Sequence, residues 1–179
     1  MGYKNPEGYS DPTAGIAMAN VAREQKKLDY MRFYESFGSY EELREYTKQK
    51  YPDLKTMKQV DKKIAEKMPE EGYFQKKIKE YIEKRFPEAF VWKAAAGPYS
   101  QAGIPDICCV INGRYYGFEV KRPFIGEASE IQKKTIKERR AAGGVAAVVC
   151  TIKEAKEVLL PERMRDGKRS RAENAESQR

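Results

Sequence analysis

Histidine is absent from all 179 residues. That excludes a His-ligated zinc site, and it excludes Ser-His-Asp and Cys-His catalysis. Cysteine is scarce, with three residues at positions 108, 109 and 150. The count is odd and the spacing fits no metal site, so neither a disulfide framework nor a Cys-ligated zinc is indicated. Cys108 and Cys109 are neighbours in a strand-like run and point to opposite faces. They read as reduced packing cysteines of a cytosolic protein. No apolar run is long enough to span a bilayer, and no signal peptide is evident. The expectation is a cytoplasmic protein with no membrane partner.

Charge is plentiful. The 35 Lys and Arg outnumber the 27 Asp and Glu, for a net +8. The excess is uneven: +1 over residues 1–70, +5 over 71–160 and +2 over 161–179. A basic middle suits a phosphate-bearing partner. Charge alone leaves a generically basic soluble protein equally open.

The segment GIPDICCVINGRYYGFEVKRP, residues 103–123, carries the sharpest signal. Asn112-Gly113 separates two runs rich in β-branched and aromatic residues, which predicts a two-residue type I′ hairpin. Register then follows by counting. Ile111 faces Arg114, Cys109 faces Tyr116, Ile107 faces Phe118, and the next pair is Asp106 facing Glu119. Lys121 shares the face of Glu119, whereas Ile107, Cys109, Ile111, Tyr116, Phe118 and Val120 form a core face. Opposed carboxylates destabilise a strand pair, and burial would neutralise one of them. A bound hard cation such as Mg²⁺ removes both problems. It could activate water, with Lys121 orienting the nucleophile or steadying developing charge. The plain alternative is a solvated strand end in which Lys121 pairs with Glu119.

GIPD followed by GFEVKRP resembles the PD-(D/E)xK nucleases, and within them the VRR-NUC domain. The resemblance spans about 71–160 and points to a stand-alone phage or prophage member. The helix opening EGYFQKKIKEYI is similar to the family's first helix, where Glu71 and Gln75 fit a Glu and a Gln near the metal. Ser129-Glu-Ile-Gln132 is similar to the segment after the E-x-K strand. The resemblance implies Mg²⁺- or Mn²⁺-dependent cleavage of DNA. It places the metal on Asp106, Glu119, Glu71 and the Val120 carbonyl, gives Lys121 a catalytic role, and implies a homodimer. Two residues keep other readings. Glu71 may be no more than a first-turn acid, with Glu70 equally placed. Ser129-x-x-Gln132 is also a capping box, in which Gln132 would only satisfy a backbone donor.

The fold expected is α/β: a restriction-endonuclease-like core of mixed sheet flanked by helices, with an N-terminal helical extension. The extension covers 1–68, the nuclease-like domain 69–160, and a charged, disordered tail 161–179. Helices are expected over Ala14–Glu35, from the Ser39/Glu42 capping box to Lys50, and over Thr56–Lys67. Their balanced charge favours packing or protein contact over DNA. The core reads as helix 70–85, strand 90–93, the hairpin, helix 129–141, strand 145–151 and helix 152–160. Lys93, Ser100 and Gln101 stand just before Asp106, placed for phosphate or sugar, although a plain surface loop reads as well. Lys133, Lys137 and Arg140 share a helix face, either solvated or tracking phosphates. The reading is a DNA endonuclease, selective for branched or flapped DNA. The alternative is a non-catalytic nucleic-acid-binding or regulatory protein that keeps the fold.

Overall fold

The computed structural model describes residues 29–94 and 103–159. Three helices come first: α1 (Tyr30–Glu35), α2 (Tyr40–Lys50) and α3 (Met57–Lys67). Then follow α4 (Glu71–Arg85), β1 (Phe90–Lys93), β2 (Ile107–Ile111), β3 (Arg114–Val120), α5 (Glu130–Ala141) and β4 (Val145–Val149). A helical segment over 152–159 comes last. The helix expected over Ala14–Glu35 does not run through position 29: Asp29 accepts from the Arg32 N–H as the N-cap of α1, so a new helix starts at Tyr30. The part of that expectation before position 29, the loop bearing Ser100 and Gln101, and the tail lie outside the described residues.

Local chemistry explains most boundaries. Ser39 caps α2 by accepting from the Glu42 N–H at 3.2 Å, but Glu42 reaches back to the Gly38 N–H at 2.7 Å rather than to Ser39. Thr56 and Gln59 close a full capping box on α3. Helix α5 ends in a Schellman motif, with Gly144 N–H donating to the Arg139 carbonyl and Gly143 N–H to that of Arg140. Gly143 takes the left-handed φ of +86° that this motif requires.

The sheet is mixed, in the order β1-β2-β3-β4. β1, β2 and β3 are antiparallel, and β4 runs parallel to β3 after the α5 crossover. The hairpin register is the one counted from Asn112-Gly113, from Ile111 opposite Arg114 to Ile107 opposite Phe118. Asn112 and Gly113 both have positive φ, at 50° and 76°, as a type I′ turn demands. The ladder stops one pair short of Asp106. Pro105 offers no N–H there, and Asp106 bends out so that its carboxylate accepts from the Val120 N–H at 2.8 Å.

The hairpin's apolar face is buried as expected, from Ile107 to Val120. Phe74, Ile78, Ile82 and Phe86 of α4 and its cap pack against it. Met31, Tyr34, Leu43, Val60, Ile64 and Met68 join the same cluster, so the N-terminal helices and the sheet share one core. β4 differs from expectation. Its apolar run predicts cover on both faces, yet it forms one edge of the sheet and leaves Val148 exposed. The Arg140 guanidinium instead donates to the Ala146 carbonyl of this strand at 2.7 Å.

Candidate active site

The bent end of the hairpin gathers the expected carboxylates and amine. Glu119 sits near the end of β3 and is 2% exposed. Lys121, one residue past the strand, places its Nζ 2.8 Å from Glu119 Oε1 and 3.5 Å from Glu71 Oε2. The backbone fixes this geometry from both sides. Val120 N–H is held by Asp106, and Lys121 N–H donates to the Val149 carbonyl at 3.0 Å. On the far side of Asp106, its carbonyl accepts from Ala94 N–H at 3.2 Å. Lys93, exposed at the end of β1, pairs with Ile107, so its backbone adjoins Asp106 while its side chain leaves from the face of Ile107, opposite to Glu119 and Lys121.

Two glutamines each brace one carboxylate. Gln75, buried on α4, donates through Nε2 to Glu71 Oε1 at 3.3 Å. Gln132 does two jobs at once. Its Oε1 accepts from the Ser129 N–H at 2.8 Å, completing the capping box of α5. That fixes which way the amide points, and its Nε2 then donates to Glu119 Oε1. One amide of Gln132 thus both caps α5 and contacts Glu119. The structure also separates the two candidate helix acids. Glu71 faces Lys121, whereas Glu70 is the exposed N-cap of α4 and makes no capping bond.

The electrostatics follow from burial. Burial pushes the Glu119 carboxyl above its ordinary range, and Asp106 raises it further by charge and hydrogen bond against the opposing pull of Lys121. Burial alone would lower the Lys121 ammonium. The hydrogen bond to Glu119 and the charges of Glu119, Glu71 and Asp106 outweigh it and raise the pKa. Lys121 is therefore an ammonium at neutral pH, a donor of hydrogen bonds and charge rather than a base. The nearby Cys150 thiol is pushed up to about 12, chiefly by burial, and is no nucleophile.

Among the described residues no three His, Cys, Asp or Glu side chains stand together as a metal cage. Glu71 is drawn to Lys121 and Gln75 rather than joined to Asp106 and Glu119. The oxygen-only pair Asp106 and Glu119 still suits Mg²⁺, which takes one or two carboxylates and keeps several waters. A buried carboxyl whose ionisation is opposed by its neighbour is what a cation would relieve.

Two contacts had no sequence signal. Thr135 Oγ1 and Arg139 Nη1 both donate to the Gly103 carbonyl, at 2.8 and 3.0 Å. They latch α5 to the turn three residues before Asp106. Gly103 has φ +81°, and a Cβ there would lie 2.6 Å from Thr135 Cγ2. Gly103→Ala is therefore expected to lower stability by about 1–3 kcal/mol through backbone strain and collision. Urea unfolding checks this, and an unchanged midpoint would mean that the latch does not constrain the turn.

Lys133, Lys137 and Arg140 do share one groove on α5, against β4. Lys133 pairs with Glu130 at 2.7 Å, and Arg140 is engaged by the strand edge. Lys137 lines the same groove between them, and its charge acts on Glu130.

Sheet order and hairpin register define an α/β fold, a mixed four-stranded sheet flanked by helices, with Asp106, Glu119 and Lys121 at one end of the hairpin. Among solved structures, the chain is similar to one described as a VRR_NUC domain, at 20% identity. The match covers 48% of this chain and 92% of that one, with a TM-score of 0.40. No family profile and no curated protein matches the sequence. No helix among the described residues is long and apolar enough to cross a membrane.

Proposed function

We propose that the protein is a divalent-metal-dependent endonuclease that hydrolyses DNA phosphodiester bonds, carried by residues 69–160. The observation that carries this reading is the buried Glu119 carboxyl facing Asp106 beside an ammonium that stays charged at neutral pH. A binding module has no use for opposed carboxylates, which cost stability unless an ion joins them. Asp106 and Glu119, with the Val120 carbonyl, would hold Mg²⁺ or Mn²⁺. The ion would activate water and offset charge on the phosphoryl group. Lys121 donates a hydrogen bond to the attacking water or to a non-bridging phosphate oxygen. Gln132 holds Glu119, and Gln75 holds Glu71, so that Lys121 keeps its position. Lys133 and Lys137 meet phosphates beyond the scissile one. Selection of branched or flapped DNA, action on both strands as a homodimer, and a cytoplasmic location belong to the same proposal.

The test is cleavage of a plasmid, a flap and a four-way junction in Mg²⁺, Mn²⁺ or EDTA. Cleavage is expected with either ion, and none in EDTA or with Asp106→Asn. Metal binding to the native state should also raise the melting temperature of the wild type but not of Asp106→Asn. Equal melting curves in all three conditions, with no cleavage, would overturn the reading.

A further inference from the structure

The N-terminal helices carry a second surface, and none of its residues belongs to the candidate active site. Phe33 of α1, Tyr46 of α2 and Tyr51 at the α2 C-cap line a groove together with Lys50, Lys63 and Lys67. Leu43 and Ile64 form its buried floor. No carboxylate among the described residues lines it. Two of the lysines lie over rings: Lys50 is 5.6 Å from the Tyr46 centroid and 6.0 Å from that of Tyr51, and Lys63 is 5.5 Å from Tyr51. Glu66, outside the groove, approaches Lys63 to 3.6 Å.

Lysines at helix C-termini are ordinary, because they balance the macrodipole. That accounts for Lys50 and Lys67. It does not account for Lys63, a turn earlier on α3, nor for the convergence of all three on exposed aromatic surface. Tyr46 is 38% exposed in mid-helix. The cavity is about 130 Å³, well below the roughly 300–1,000 Å³ of a cleft for a drug-sized ligand. It admits one flat group. An apolar protein partner would have to bury the Lys50 and Lys67 ammonium groups with no carboxylate of the groove beside them, which is costly. A flat ring flanked by phosphates satisfies the rings and the lysines together.

We propose that this groove binds single-stranded DNA by stacking one unpaired base on Tyr46, with Lys50, Lys63 and Lys67 meeting the flanking phosphates. It rests on the nuclease reading only in taking DNA as the substrate. An unpaired segment held here would direct the enzyme to DNA that carries one.

Binding is measured by fluorescence anisotropy in EDTA, so that no cleavage enters the result. The probes are a labelled single strand, an abasic strand of equal length and charge, and a blunt duplex. The wild type should bind the base-bearing strand about tenfold or more tightly than the abasic one. Tyr46→Ala should erase that difference and leave duplex affinity alone. The pair Lys50→Gln and Lys67→Gln removes two charges and no buried side chain, since both are exposed. It should flatten the single-strand salt slope by about 0.7 per lysine. Equal binding of base-bearing and abasic strands by the wild type overturns the proposal, as does an unchanged salt slope in the lysine variant. An acidic peptide that displaces the strand from wild type but not from the lysine variant, without any effect of bases, would assign the groove to protein instead. Failure of cleavage by the unmodified active site would leave these binding results standing, and the converse holds too.

Discussion

Lys121→Ala should lower DNA cleavage by at least about 10²–10³-fold, the scale seen when one positioned donor to a developing anion is removed. DNA affinity should fall far less. One phosphate contact among many carries a small share of binding, because affinity sums over every neutralised phosphate. The expectation depends on the protonation state. Lys121 is held by Glu119 and Glu71, and its raised pKa keeps it charged across the neutral range. Its loss therefore removes a cation, not a base, and raising the pH from 7 to 9 should not rescue the variant. Single-turnover cleavage with saturating enzyme, beside anisotropy in EDTA, separates the two effects. Full cleavage by the variant would remove Lys121 from the mechanism. Lys121→Arg gives a sharper comparison, since charge survives while the compact ammonium becomes a planar fork. Recovery of binding without recovery of rate would show that position matters beyond charge.

The hairpin was legible because its information is local. Asn112 and Gly113 set the turn, the turn sets the register, and a period of two then places Glu119 and Lys121 on one face. Gln132 was legible in both its roles but not in their union. Only the structure shows that the capping bond to Ser129 aims the amide at Glu119. The latch on Gly103 could not be read. Thr135 and Arg139 reach it across 32 and 36 residues, through backbone acceptance that leaves no periodicity. The exposure of Val148 on β4 was missed for a similar reason. Cover of a strand face is set by tertiary packing, and VAAVV reads the same whether or not a helix lies over that position. The N-terminal helices show the limit of counting charge. A net of +1 over 1–70 suggests balance, yet folding brings Lys50, Lys63 and Lys67 to one aromatic groove that no described acid lines.

Glu119→Gln should separate stability from activity most widely. Burial and Asp106 raise the Glu119 carboxyl above its unfolded value, in spite of Lys121. By linkage, a raised folded pKa favours the protonated native state. The resulting stability is fully present below the unfolded carboxyl pKa, about 4.3, and is lost as pH rises through the folded value. Without metal, ionising Glu119 as the pH rises creates a carboxylate that its surroundings oppose. Glutamine keeps the shape and a hydrogen-bonding group but cannot ionise. In EDTA, the variant should lose none of its stability over that acidic-to-neutral window on account of this site, whereas the wild type declines relative to it. Lys121 retains Glu71 as a partner at 3.5 Å, so the variant does not strand a buried ammonium. Adding Mg²⁺ or Mn²⁺ should reverse the order: the wild type gains by mass action and the variant does not. Cleavage by the variant should be lost in either ion. The measurement is urea unfolding at several pH values from 4 to 8, with EDTA and with Mg²⁺. A variant that is less stable than wild type in EDTA at pH 7, by as much as in Mg²⁺, would mean that the ion pair with Lys121 outweighs burial. The site would then be a structural salt bridge, and the opposed carboxylates would need no cation.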